Sequence, residues 1–338
     1  MICESRILIL GAQRSGTSLL SRMLNQHPEI GVPQESHVYS HFYDIRHLYG
    51  DLALRHNQRL LLKDIVSFGD VRLWSPAIDI EDADRNISGP GFGAVVDAMM
   101  TSWASKQGKS CWGEKTPSHI DFVDPILGHF PDIKIVHIVR DPRDVCLSMI
   151  RARFGPKNHF VAATAWSKYL SKVRNLKERY AKTKIIEVRY EELLGSPKTV
   201  LEELCTQLGV DYADTMLQFH DDVHPYNTDK TNLENLRRPL MSNNTGKWRR
   251  EFSERAVATI ERIAEESMAE YGYSLSAERL PEISAVRRVL YQLDNRLKRI
   301  VSMIRNRRAY GEAIMWLRLR AGLLIRSRAK NTVDTLYE

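Results

Sequence analysis

Between Gly11 and Ser18 the chain reads GAQRSGTS, two glycines, an arginine and three hydroxyls in eight residues. A glycine-bracketed turn of this kind can wrap backbone N–H groups around a phosphate. Gly11, Gln13, Arg14, Ser15, Gly16, Thr17 and Ser18 are therefore candidate anion-binding residues. The GxxxxG spacing is that of a triphosphate loop, but Thr17 stands where such a loop has its lysine. Without the group that reaches the β- and γ-phosphates, the loop suits a shorter phosphate chain than that of ATP. A second oxyanion clamp is Arg140. It directly follows the apolar run IKIVHIV and precedes Asp141-Pro142, a good N-cap and first helical residue. His and Cys residues show no metal-ligand spacing, so no metal is expected.

These groups need elements to hold them. Ile7 to Leu10 is a continuous apolar run suited to a strand buried on both faces, and Leu19, Leu20, Met23 and Leu24 then recur at helical spacing. Strand, glycine-rich loop and helix together aim a helix N-terminus at a phosphate. Ile30 to Val32 reads as a second strand, with the polar cluster Gln34-Glu35-Ser36-His37 just beyond it. Cys111-Trp112 begins a third, left through Gly113-Glu114-Lys115-Thr116-Pro117. Ile133–Val139 and Lys184–Val188 are the fourth and fifth. Helices are expected over 39–68, 94–106, 119–130, 142–151 and 160–181, over 197–208 capped by Ser196, and over 254–271 capped by Ser253. Residues 69–93 and 220–250 read as irregular. Alternating strands and helices predict an α/β fold, a P-loop-like parallel sheet flanked by helices with right-handed crossovers. Ligands of such sheets bind beyond the carboxyl ends of the strands, which is where every candidate above falls.

The 338 residues suit one large domain with an appendage, divided here as 1–280 and a basic helical extension, 281–338. The net charge of +7 splits into +8 on the extension and −1 on the rest, which argues against a nucleic-acid binder. No apolar run approaches the eighteen or so residues of a membrane span. The first strand begins within a few residues of the N-terminus, leaving no room for a secretory signal. Cys3, Cys111, Cys146 and Cys205 are scattered without a C-x-x-C pair. The expectation is four reduced thiols in a cytoplasmic protein.

Four blocks, ILILGAQRSGTSLLSRMLNQHP, WGEKTPSH, KIVHIVRDPRDVCLSM and VRYEELLGSPKTVLEELCTQLGV, with a weaker fifth, NNTGKWRR, resemble the PAPS-dependent sulfotransferases. PAPS is 3′-phosphoadenosine 5′-phosphosulfate. The branch that the chain most resembles holds the bacterial carbohydrate and lipid enzymes and the tyrosylprotein sulfotransferases. The resemblance implies PAPS as donor, PAP as product, and transfer of a sulfuryl group to an acceptor hydroxyl, carbohydrate or glycoconjugate being the first candidate. It gives the Gly11–Ser18 loop, with Arg14, Thr17 and Ser18, to the 5′-phosphosulfate, and Arg140 and Ser148 to the 3′-phosphate. Glu35 matches a catalytic glutamate, its pKa expected to be raised by partial burial; His37 is the rival base. Lys115 matches the lysine that neutralises the leaving oxygen, with Glu114 expected to orient it or cap a helix. Lys247 matches a late lysine beside a tryptophan that closes over the cofactor, and Tyr190 either lines the cofactor site or belongs to the core. The rivals are an ATP-dependent small-molecule kinase and a non-catalytic nucleotide-binding attachment protein.

Within 282–328, Val289, Leu290, Leu293, Leu297, Ile300, Val301 and Ile304, then Trp316, Leu317, Leu323 and Leu324, alternate with basic residues at helical spacing. Such a helix either lies on an anionic membrane as a peripheral contact or packs on the domain or a second copy in a homo-oligomer.

Overall fold

The structure is a computed structural model that describes residues 6–152, 155–180, 185–220, 236–241, 243–305 and 316–324. Its centre is a five-stranded sheet of β1 (Arg6–Leu10), β2 (Ile30–Gly31), β3 (Cys111–Glu114), β4 (Lys134–Val139) and β5 (Ile185–Arg189). Every pairing is parallel and the order is β2-β3-β1-β4-β5. The α-helices run α1 (Thr17–Asn25), α2 (Arg55–Ser67), α3 (Ile80–Asn86), α4 (Gly91–Ser105), α5 (Val123–His129), α6 (Pro142–Arg151), α7 (His159–Arg179), α8 (Tyr190–Gly195), α9 (Pro197–Leu208), α10 (Trp248–Glu251), α11 (Glu254–Glu270) and α12 (Ala285–Arg305). A further helical stretch covers 316–324.

The period of two along the strands sorts the core. Leu8 and Leu10 of β1 join Ile135 of β4 and the buried faces of α2 and α4 on one side of the sheet. Ile7 and Ile9 join Val136, Ile138, α1 and α9 on the other. A third cluster unites Ala12 and Val139 with Trp166 of α7 and Ile260 of α11. Apolar burial on both faces explains why β1 reads as an unbroken apolar run and β4 as a nearly unbroken one.

Several expectations needed correction. The single helix expected over 39–68 is a π-helical turn at Tyr39–Tyr43, a 3-10 turn at Arg46–Tyr49 and then α2. The break falls at Gly50, whose φ of 80° and ψ of −156° are not helical. The stretch 69–93 is not wholly irregular, because Asp79 caps α3 by accepting from the Glu81 and Asp82 amides. Ser196 precedes α9, but its side chain makes no capping bond; Pro197 and Gly209 bound that helix. Asp141 and Ser253 do cap α6 and α11. Cys146 and Cys205 are buried free thiols, whereas Cys111 is disulfide-bonded, so the expectation of four reduced thiols does not hold. No helix among the described residues is long and apolar enough to cross a membrane.

Candidate active site

Each strand ends at a group with chemistry. The Gly11–Gly16 loop leaves β1, Glu35 and His37 follow β2, Lys115 follows β3, Arg140 follows β4 and Tyr190 follows β5. They converge on a cavity of about 540 Å³. Of the candidates from sequence, Gln13, Arg14, Gly16, Thr17, Ser18, Glu35, His37, Arg140, Ser148, Tyr190 and Lys247 line it. Gly11, Ser15 and Lys115 lie behind that wall.

The loop begins at Gly11, where a Cβ would lie 2.7 Å from Thr17 and 2.8 Å from Ile138. The Gly11 amide donates to Tyr169 Oη at 2.9 Å, so this N–H is already engaged. Gly16 sits at φ 100° as the N-cap of α1, with no side-chain cap and no acidic residue in the first turn. The leading N–H groups of α1 therefore face the cavity as a site for negative charge. The Ser15 hydroxyl is buried behind the loop and has no partner.

At the loop's inner end stands the catalytic candidate cluster. Lys115, almost fully buried, donates from Nζ to Glu35 Oε1 at 2.6 Å and to Ser18 Oγ at 3.2 Å. His37 Nε2 lies 3.3 Å from Glu35 Oε2. Burial alone would raise the Glu35 pKa. The Lys115 charge and the bonds from His37 and Lys115 outweigh it and hold the carboxyl well below the usual range. This corrects the expectation of a raised pKa. Burial would likewise lower the His37 pKa, but the bond to Glu35 and its charge leave it raised. Glu35, His37 and Asp70 bring ligand-capable atoms within 4.8 Å of one another, although both Glu35 oxygens are already engaged by Lys115 and His37.

Glu114 does not reach Lys115 directly. Its buried carboxylate accepts from Ser36 Oγ, Thr116 Oγ1 and His119 Nδ1, each at 2.7 Å. Burial raises its pKa, but the His119 charge and these bonds outweigh burial and pull it down to about 2. Glu114 thus fastens the end of β3 to Ser36, between Glu35 and His37. Sequence proximity to Lys115 suggested a partner; the structure shows an anchor for the loop opposite.

The other end of the cavity is cationic. Arg140 lies over the Tyr190 ring, Cζ 4.1 Å from the centroid, and donates to the Asn244 carbonyl at 2.7 Å. Its buried Nε has no partner. Arg14 donates from Nε to Ser148 Oγ at 2.9 Å, so its side chain reaches toward the Arg140 end of the cavity. Sequence reading had given Arg14 to the 5′-phosphosulfate end. Burial, then the neighbouring Arg140 charge, lower the Arg14 pKa. Two guanidiniums this close, one with an unused donor, fit a bound dianion. Arg14 and His37 are the non-glycine residues with positive φ, 72° and 52°, among the described residues, and both line this cavity. Residues in such conformations persist where surrounding structure enforces them.

Sequence reasoning missed Ser118, Asp144, Arg151 and Asn244 in the lining. Asp144 accepts from the Gly246 amide at 2.6 Å and the Trp248 amide at 3.1 Å, which brings the late block onto α6. Asn244 Nδ2 also donates to Tyr190 Oη at 2.7 Å. The block NNTGKWRR was the available signal.

A glycine-rich loop, a second cationic pole and a lysine–carboxylate pair all lie beyond the carboxyl ends of one parallel sheet. The family model described as "Sulfotransferase family" matches residues 6–214, and the chain belongs to that family. It is 22% identical over 222 residues to protein-tyrosine sulfotransferase 2 of Gallus gallus, covering 64% of this chain and 54% of that one. It is 28% identical over 148 residues to the omega-hydroxy-beta-dihydromenaquinone-9 sulfotransferase Stf3 of Mycobacterium bovis, covering 39% of this chain and 38% of that protein. A protein of Aquifex aeolicus is 27% identical over 144 residues, only 19% of its own length. The chain thus spans from about a fifth to about half of these relatives. In fold it matches the sulfotransferase domain of the curacin biosynthetic pathway, with a TM-score of 0.56 at 21% identity over 80% of this chain and 98% of that one. The sulfotransferase domain of the Synechococcus PCC 7002 olefin synthase matches with 0.51 at 22% identity, over 81% and 97%.

Proposed function

We propose that the protein transfers a sulfuryl group from PAPS to an acceptor hydroxyl. The observation that carries this reading is Lys115 Nζ, bonded at once to Ser18 of the anion loop and to Glu35. One ammonium thereby joins the place where the leaving oxygen would gain charge to the group that would take the acceptor's proton. Bound PAPS supplies an activated sulfuryl group. The first amides of α1, with Thr17 and Ser18, would hold its 5′ end. Arg140, Ser148 and Arg14 would hold the 3′-phosphate, and the unpartnered Arg140 Nε fits that assignment. Tyr190 and Lys247 would line the nucleotide. Lys115 stabilises negative charge developing at the loop.

Glu35 is the proposed base, with His37 the alternative. Tied to an ammonium, the Glu35 carboxylate is ionised but weakly basic. Drawing that ammonium toward an anion at Ser18 loosens the tie and raises its basicity. Donor binding therefore arms the base. The acceptor proposed is a hydroxyl compound, a carbohydrate or glycoconjugate first. The Gallus gallus relative is named for protein tyrosine and Stf3 for a hydroxylated menaquinone, both hydroxyl-bearing acceptors.

Thermal-shift titration with PAP against ATP tests the donor class, since stabilisation follows affinity. PAP should stabilise the protein and ATP should not. Arg140→Ala should weaken PAP by about ten- to a hundredfold, the worth of a charge-assisted contact. A response to ATP alone, or PAP affinity unchanged in folded Arg140→Ala, would remove this reading.

A further inference from the structure

The helix α12 docks on the domain by one narrow face. Tyr291 stacks on Phe160 of α7 with centroids 4.8 Å apart, and the Tyr291 carbonyl accepts from Asn158 Nδ2 at 2.7 Å. Buried Asn295 accepts the Lys157 amide at 2.8 Å, and Asp294 accepts from Asn158 at 2.9 Å. These contacts fix the rotation of the helix.

With that rotation fixed, the apolar stripe points the other way. Val286, Val289, Leu290, Leu293, Leu297 and Ile300 are each between 47% and 69% exposed. At 3.6 residues per turn they fall within an arc of about 100°, centred roughly 150–170° from Tyr291 and Asn295. Arg287 and Arg296 border the stripe on its two sides, whereas Arg288 and Arg299, also exposed, lie toward the docked face. Lys298 pairs with Asp294 at 2.9 Å, the one acidic residue of the helix.

We infer that α12 is a membrane-surface helix, its apolar stripe entering the boundary of an anionic bilayer and its arginines meeting lipid phosphates. The flanking charge selects this occupant over a second copy of the chain. A self-paired helix needs complementary charges beside its seam. Here Arg296 lies on one flank, and on the other Lys298 neutralises Asp294 beside Arg287, so both flanks are net positive and two copies would bring like charges together. An anionic lipid surface complements both flanks at once.

The test is co-sedimentation of the full chain with vesicles of phosphatidylcholine, with or without about one-third phosphatidylglycerol, at low and high salt. Binding to the anionic vesicles should exceed that to neutral ones by at least about tenfold and should fall with salt. Leu293→Ser with Leu297→Ser should cut it by at least about tenfold. Both sites are exposed, so the melting temperature and PAP binding should be unchanged. Arg287→Gln with Arg296→Gln should cut it about 25-fold, at about fivefold per charge. Equal binding to both vesicle types overturns the inference, as does binding that survives the leucine substitutions. A concentration-dependent dimer dissolved by those same substitutions, without vesicle binding in the parent, would assign the stripe to a second copy instead.

Discussion

Replacing Lys115 by methionine separates the two tasks that one ammonium performs. Methionine keeps the length and much of the volume of the buried side chain but abolishes the 2.6 Å bond to Glu35 and the 3.2 Å bond to Ser18. A charge-assisted bond is worth about 1.5–3 kcal/mol, which is about 1–2 pKa units. Burial, which pushes the Glu35 carboxyl upward, is then opposed chiefly by His37. The Glu35 pKa in Lys115→Met should therefore rise toward the ordinary carboxylate range. In single-turnover assays with labelled PAPS, the acid limb of the variant should lie about 1–2 pH units above that of the parent. Its plateau rate should fall by about 10²–10³, the usual cost of removing one group that stabilises transition-state charge.

Stability gives a second readout. The folded-state pKa of Glu35 is depressed, so its ion pair stabilises the fold above the usual value of 4.5 and ceases to do so as pH falls toward the folded value. At neutral pH the variant should be less stable by about 1–3 kcal/mol, and the gap should close on acidification below the carboxylate range. An acid limb that stays where it was, with turnover reduced, would refute the coupling of Lys115 to Glu35.

Glu35→Gln should reduce turnover by about 10²–10⁴ while leaving PAP affinity nearly unchanged, because the amide keeps the size and one acceptor for Lys115 but takes no proton. His37→Asn is its control: if that variant is the inactive one and Glu35→Gln is not, the base is the histidine. Gly16→Ala should abolish PAP binding in calorimetry. It forces φ 100° on a residue with a Cβ and sets that atom 2.4 Å from the Tyr190 ring. Retained affinity would show that loop and ring part without consequence.

The sheet was legible because its central strands are buried on both faces and so are largely apolar, as Ile7 to Leu10 are. The Gly11–Ser18 loop, Glu35, Lys115 and Arg140 were legible because each follows a strand. The stretch from Tyr39 to Phe68 misled because Tyr39, Phe42, Ile45 and Tyr49 are all buried, and that spacing survives the change from π to 3-10 geometry. Asp79-Ile80-Glu81-Asp82 did carry a capping signal, masked by the surrounding glycines and prolines. The charge state of Glu35 could not be read locally, since it depends on a lysine 80 residues away in the chain. The turn of Arg14 toward Ser148 likewise depends on a contact spanning 134 residues.

Tyr190 touches both poles of the cavity. One edge of its ring abuts Gly16, its face carries Arg140, and its hydroxyl is pinned by Asn244. An aromatic plate held on three sides would set the separation between the two proposed anion subsites. It acts as a gauge block. Ligands whose two negative ends match its span engage both poles together, while a shorter or longer diphosphate must surrender one. Discrimination among nucleotides would then reside in the thickness of a single phenol ring rather than in contacts to the base.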